Sequence, residues 1–250
     1  MKNSAKIWSW CKSGNVNKIA KMIEQGVNMN VFDDTGYSPL HYACGFDYHD
    51  LVKLLLNNGV DINIKNSARV TPVMTACQNR RHDIIILLLN NGADVHNKDN
   101  HDTTLMHLVC FNGYIDIMKI LLEKGVDVNL EDSYGRTPLN YSMCVRDNFD
   151  IVDALLKNGA CVNKKNRHCI TPLHFACHMN SVCAVNLLLE HGADIFQKDH
   201  EGNLSFSMNN DEPSDILLRK EIKKRVYILS LMINYDVMKR YIVRKIVYNE

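Results

Sequence analysis

The chain has 250 residues, 46% of them hydrophobic and 23% charged, with a formal net charge of +1. That length would serve one or two globular domains, and the charge by itself excludes little. No run approaches the roughly 18 apolar residues of a membrane span, and Met1-Lys2-Asn3-Ser4 lacks a secretory leader's apolar stretch, so a soluble protein of the cytoplasm or nucleus is expected.

From the amino terminus, Trp8-Ser9-Trp10-Cys11-Lys12-Ser13-Gly14 and the run from Val16 to Gly26 form a shortened version of the unit that follows. Ser38-Pro39-Leu40-His41-Tyr42-Ala43-Cys44 then returns as Thr71-Pro72-Val73-Met74-Thr75-Ala76-Cys77 and as Thr104-Leu105-Met106-His107-Leu108-Val109-Cys110. Two more copies are Thr137-Pro138-Leu139-Asn140-Tyr141-Ser142-Met143 and Thr171-Pro172-Leu173-His174-Phe175-Ala176-Cys177. The copies start 33 or 34 residues apart, a period that marks a solenoid of stacked units.

Each unit predicts two short helices and a turn. Ser or Thr before Pro is a helix start, because the hydroxyl accepts from an orphan backbone N–H and Pro has none to strand. A second apolar run follows at Leu51 to Leu56, Ile84 to Leu89, Ile117 to Leu122, Ile151 to Leu156 and Val185 to Leu189. Gly59, Gly92, Gly125, Gly159 and Gly192 come soon after these runs, where a left-handed residue closes a helix.

In phase, these copies divide the chain into a capping half-repeat at 4–32 and repeats at 33–65, 66–98, 99–131, 132–165 and 166–198. A degraded sixth unit covers 199–212, with Leu204-Ser205 where Thr-Pro would stand, and a basic tail covers 213–250. In the tail Ile222, Val226, Leu229, Ile233 and Val237 make one apolar stripe. Nine Lys/Arg against four acids give the tail +5 and leave the repeat body at −4, so the two differ in sign and in expected role. The stripe fits a helix that caps the stack, a docking helix for another protein, or a basic surface helix at an anionic membrane.

With five phased variants of a Thr-Pro-Leu-His signature, the chain resembles the ankyrin-repeat family over roughly residues 4 to 212. The resemblance implies an all-α solenoid of helix-turn-helix units with β-turn tips, followed here by a helical tail. It also implies that His41, His107 and His174 bond the backbone of an adjacent turn, and that partners lie along a concave groove lined by tips and first helices. Asn63 and Asn129 resemble asparagines hydroxylated in some ankyrin repeats, and such asparagines also stabilise turns.

Catalysis is not expected. The eleven histidines show no recurring nucleophile and base, the glycines suit turns rather than phosphates, and no cofactor is implied. Cys44, Cys77, Cys110 and Cys177 hold one slot of the repeat and read as small core residues, since units about 10 Å apart exceed disulfide reach. Cys161, His168, Cys169, Cys177, His178 and Cys183 crowd together but lack the close Cys pairs of zinc sites, so no metal is expected.

Function then falls to the positions that the repeat leaves free. At the tips and first-helix ends these include Tyr37, Phe46, Arg80, Arg81, His101, Phe111, Tyr134, Arg136, Arg146, Arg167 and His178. Aromatic and arginine side chains are the usual anchors of protein interfaces, and the arginines suit a partner segment with carboxylates. Nucleic acid is repelled by the acidic body, no membrane partner is expected, and a monomer is. Arg69, Asp102 and an extra residue around Val145 to Asn148 break the pattern, by drift or for function.

The expected activity is non-catalytic protein binding in the groove. The alternative is a substrate adaptor whose repeats hold a target while the tail recruits a ubiquitin-ligase component or other effector. The Asn, Ile and Lys content resembles ankyrin proteins of large DNA viruses that bind host signalling factors.

Overall fold

The computed structural model describes residues 4–144, 148–206, 213, 214 and 216–221, in two compact units, Met1–Cys161 and Val162–Glu250. In the first, helices come in pairs, one pair per repeat: α1 (Ser4–Lys12) and α2 (Val16–Glu24), α3 (Pro39–Gly45) and α4 (His49–Asn57), and α5 (Pro72–Gln78) and α6 (His82–Asn90). The pairs α7 (Leu105–Asn112) and α8 (Ile115–Glu123), and α9 (Pro138–Ser142) and α10 (Phe149–Lys157), continue the series. The second unit contains α11 (Pro172–His178) and α12 (Val182–Glu190). Among the described residues extended structure is limited to isolated antiparallel bridges, Lys98 with Thr104 and Lys198 with Leu204.

The first helix of a repeat starts as the Ser/Thr-Pro pair predicts, with a reinforcement from the histidine. Ser38 is extended at φ −93°, its hydroxyl accepts from His41 N–H at 3.3 Å, and its own N–H donates to His41 Nδ1 at 3.2 Å. The imidazole thus does the work of the glutamate in a capping box. Thr104 N–H reaches His107 Nδ1 at 3.1 Å and Thr171 N–H reaches His174 Nδ1 at 3.2 Å. Asn140 Oδ1 serves Thr137 N–H at 2.9 Å. The second helix ends at a left-handed glycine: Gly59, at φ +75°, lets Val60 N–H turn back to Leu55 O at 3.2 Å.

Within the first unit, α3 packs on α4 and α5, α5 on α6 and α7, and α7 on α8 and α9. Leu40, Leu51, Leu55, Ile84, Leu88, Leu105, Ile117 and Met118 are fully buried, each worth about 1.5–3 kcal/mol of transfer free energy. Cys44, Cys77 and Cys110 form a buried column, as expected, and Cys11 extends it into α1. Burial pushes the Cys11 and Cys77 thiols up to about 12, so they are inert as nucleophiles. Cys177, in the same slot of the second unit, is only half-buried.

The second unit closes on Leu173, Ala176, Val185, Leu188 and Ile195, joined by Phe206, Ser214 and Leu218. Ser214 N–H donates to Asn180 Oδ1 at 3.2 Å, so the start of the predicted tail packs into this unit. The apolar stripe from Ile222 to Val237 lies outside the described residues, as do Arg146 and the irregular stretch 145–147.

Candidate partner-binding face

Each turn tip is built around one carboxylate or amide. Asp33 Oδ1 accepts from Thr35 N–H at 2.9 Å and Tyr37 N–H at 3.0 Å. The same pair of bonds recurs at Asn66, Asp99, Asp132, Asn166 and Asp199. A side chain that bonds its own backbone two and four residues on replaces a strand ladder with a local knot. The residue after the tip is left-handed throughout, as Gly36 at φ +81°, Arg69 at +59°, Asp102 at +56°, Gly135 at +72° and Cys169 at +58°. Arg69 and Asp102 therefore keep the turn that glycine makes elsewhere.

Successive tips are bonded together. Asn100 N–H donates to Ala68 O at 2.9 Å, and Ser133 N–H donates to His101 O at 2.8 Å. In the second unit His200 N–H donates to His168 O at 3.1 Å. Behind the tips, His41 Nε2 lies 2.9 Å from Val70 O and His107 Nε2 lies 3.1 Å from Arg136 O. His174 Nε2 lies 3.4 Å from Asn203 O within the second unit. Burial holds all three imidazoles below their ordinary value, which keeps them neutral, with one nitrogen donating forward and the other accepting. A second stitch is made by asparagine: Asn63 Oδ1 accepts from Asp94 N–H and Asn129 Oδ1 from Cys161 N–H, both at 2.8 Å.

On this rigid frame the predicted site residues divide into groups. Phe46 is 48% exposed, Phe111 40% and Tyr134 47%, so three large aromatics stand out on the tip and first-helix side. Tyr37 is half-buried and sits edge-on to His41, with ring centroids 5.7 Å apart. Phe46 lies parallel to Tyr42 at 6.2 Å. His101 stacks on Tyr134 at 6.4 Å across two neighbouring tips. Arg80 is exposed in the α5–α6 turn at φ +58°, and Arg81 donates from Nε to Gly45 O at 3.0 Å. Arg167 and His178 are exposed in the second unit.

Arg136 is spent inside its own repeat. Its Nε and Nη2 both lie 2.7 Å from Asp132 Oδ2, and Nη2 is 2.9 Å from the Tyr141 hydroxyl. The guanidinium lies between the rings of Tyr134 and Tyr141, 4.9 and 4.8 Å from their centroids. Desolvation pushes the Asp132 carboxyl up, and bonds from Arg136, Tyr134 and Tyr141 outweigh it to hold the group below its ordinary value. Of the described candidate arginines in the first unit, Arg80 is exposed, while Arg81 is half-buried with its Nε bonded to Gly45 O.

The sequence reading passed over Asp33, Tyr42 and Trp8, which the fold brings together. Tyr42 OH donates to Asp33 Oδ2 at 2.5 Å, and Trp8 lies 6.4 Å from the Tyr42 ring. A signal was present: an Asp followed nine residues later by Tyr occurs at 33 and 42 and again at 132 and 141. Elsewhere on the surface, His82 Nε2 pairs with Asp116 Oδ2 at 2.7 Å, linking α6 to α8. No three His, Cys, Asp or Glu side chains among the described residues are placed to hold a metal ion.

Comparison with known proteins agrees with this geometry. The family model described as ankyrin repeats (3 copies) matches residues 7–99, 73–166 and 106–199. The ankyrin repeat domain of human ASB11 superposes with a TM-score of 0.69 at 26% identity, over 85% of this chain and 96% of that one. That of Bcl-3, a member of the IkappaB protein family, gives 0.68 at 22% identity, over 85% and 97%, and shows the fold alone. An ankyrin repeat-containing protein of Schizosaccharomyces pombe, P1E11.10, is 32% identical over 50 residues, which span 20% of this chain and 24% of that protein.

Proposed function

Since the chain belongs to the ankyrin-repeat family, whose domains generally mediate protein–protein interaction, we propose that it is a non-catalytic binding module that holds a partner protein segment along its tips and first helices. The observation that carries this reading is the exposure of Phe46, Phe111 and Tyr134 on the side of the repeats where the turn anchors and histidines fix the backbone. Rigid aromatics on a pre-organised frame lose little entropy on binding and supply the anchors that interfaces use. Arg80 and Arg81 complement carboxylates in the partner. The cytoplasm or nucleus suits a protein with buried reduced thiols at Cys11, Cys44, Cys77 and Cys110.

Capture of partners from a cell lysate tests the reading. A Phe46→Ala/Phe111→Ala double variant with an unchanged unfolding temperature should lose the proteins that the intact chain retains. Retention of the same set would overturn the assignment to this face.

A second reading follows from the difference in sign between the tail and the repeats. In an adaptor the repeats hold a target and the tail recruits a ligase subunit or other effector, as in viral modulators of host signalling. A chain ending at Asn210, once circular dichroism shows it folded, should then lose one defined set of partners and keep the other. Loss of neither set removes the adaptor reading.

A further inference from the structure

The first and fourth repeats carry the same Asp and Tyr pair, and among the described residues the carboxylate is paired with a cation in the fourth alone. Tyr141 OH donates to Asp132 Oδ2 at 2.9 Å, as Tyr42 OH does to Asp33 Oδ2 at 2.5 Å. In the fourth repeat Arg136 completes the group, bonding carboxylate and phenol and lying between two aromatic rings. It covers Asp132 so fully that the carboxylate side chain is 0% exposed.

In the first repeat the position of Arg136 is taken by Tyr37. The donors to Asp33 are Thr35, Tyr37 and Tyr42, all neutral, and among the described residues no cation pairs with it. Asp33 stays partly exposed. Although desolvation pushes its carboxyl up, those hydrogen bonds hold it at about 2, so the charge is present at any physiological pH. Around the ring of Tyr42, whose hydroxyl bonds this carboxylate, stand Tyr37 at 5.7 Å, Phe46, parallel to it at 6.2 Å, and Trp8 at 6.4 Å. The exposed ammonium of Lys12 rests 5.2 Å over Tyr42, so the aromatic wall already draws a cation, while among the described residues the carboxylate is met by neutral donors.

We propose that Asp33 and Tyr42, with Trp8, Tyr37 and Phe46 around the phenol ring, form a binding site for an arginine side chain of a partner protein, which supplies this pair with the guanidinium that Arg136 gives in the fourth repeat. A guanidinium fits better than an ammonium, because its flat fork bonds carboxylate and phenol together while its face stacks on the rings. The net negative repeat body favours such a residue in the partner over one that is acidic at this end. The inference rests on the partner-binding reading above and names one chemical element of that partner.

The test uses the full chain, labelled with 13C-tyrosine and titrated with N-acetyl-arginine amide while the Tyr42 ring signals are followed by NMR. Asp33→Asn removes the charge and keeps the turn, since Asn66 and Asn166 already make the same pair of backbone bonds. Tyr37→Arg supplies the guanidinium from within. Saturable shifts are expected for the unaltered chain, about tenfold or more weaker for Asp33→Asn, as for loss of one charge-assisted contact, and absent for Tyr37→Arg. N-acetyl-citrulline amide, of the same shape and uncharged, should give no saturable shift.

Equal responses of the unaltered and Asp33→Asn chains, or equal responses to arginine and citrulline, would overturn the proposal. A response seen only after Lys223→Ala, Lys224→Ala and Arg225→Ala are combined would assign the site to the chain's own tail instead. Self-association abolished by Asp33→Asn would assign it to a second copy, and either result overturns a partner arginine. Lysate capture that needs Phe46 and Phe111 yet survives Asp33→Asn refutes this site and leaves the wider reading standing. Capture indifferent to all of them refutes the wider reading by itself.

Discussion

His107 reaches across one repeat to the next, its Nε2 lying 3.1 Å from the carbonyl oxygen of Arg136 while its Nδ1 accepts from Thr104 N–H. The side chain is wholly buried, so its loss opens a cavity and strands a carbonyl together. His107→Ala is expected to cost about 2–4 kcal/mol, read as a shift of the urea midpoint. Met74 stands in the same slot one repeat earlier, buried and without that link. Met74→His should let the imidazole reach Thr103 O and raise stability by about 1 kcal/mol. An unchanged or lowered midpoint for Met74→His would show that the link does not stabilise on its own.

The same histidines set the response to acid. Burial lowers the pKa of His41 and His107 from the ordinary 6.5, against bonds to Val70 O and Arg136 O that raise it. Below about 6.5 the unfolded chain takes up protons that the fold refuses, so stability falls as pH drops through that value and is flat above it. His82 runs the other way: desolvation lowers it, and Asp83 and Asp116 raise it by more. Its contribution is present below 6.5 and lost as pH rises through its folded value. At 39% side-chain exposure that contribution is small and screened by salt. Urea midpoints should therefore fall from pH 7.5 to 5.5, and fall further in Asp116→Asn at low salt. At about 1 M salt the variant's extra loss should vanish while the main decline persists. A decline absent at both ionic strengths would mean that the buried imidazoles titrate freely.

What could be read from the chain and what could not divide along the range of the interactions. The starts of α3, α5, α9 and α11 were legible because a hydroxyl and a proline act within one turn of helix. The cysteine column was legible from Cys44 to Cys110 through the period alone. Cys11 was missed because the amino-terminal half-repeat lacks the Thr-Pro that sets the register. The role of Asp33 and its five counterparts was hidden because one acidic or amide residue in a polar turn looks like any other. Arg136 looked free because nothing local says that its turn curls back to place Asp132, Tyr134 and Tyr141 around it. Exposure is settled by packing between elements, so the anchors of the frame were more legible than the residues left outside it.

Arg136 and Phe46 should separate stability from binding. Asp132 is fully covered by Arg136, so Arg136→Ala strands a carboxylate that the fold has desolvated, at about 1–3 kcal/mol. Phe46→Ala removes a ring that is 48% exposed and should cost less than about 1 kcal/mol. Leu55→Ala, in the closed core, should cost about 2–5 kcal/mol. Thermal melts followed by circular dichroism should rank the three as Leu55, Arg136, Phe46, with partner binding lost in Phe46→Ala at unchanged helicity. Equal melting losses in all three would refute the division into frame and binding face.

The tips themselves hold strain that a substitution can release. Arg69 occupies at φ +59° the turn position that Gly36 fills at +81° one repeat earlier. A side chain there costs about 1–3 kcal/mol of backbone energy, while glycine gives back up to about 1 kcal/mol through the entropy of the unfolded chain. Arg69→Gly should therefore raise stability by about 1 kcal/mol, since the Arg69 side chain is exposed. The reverse change is worse than strain alone, because a Cβ at Gly36 would lie 2.0 Å from Ser67 Oγ, the atom that donates to Thr35 O and joins the two tips. Gly36→Ala should destabilise by more than Arg69→Gly stabilises, and also weaken arginine binding at Asp33 by displacing the adjoining turn. Opposite signs for the two variants in a single urea series are the expected result; a loss in both would mean that Arg69 holds a contact outside its own turn.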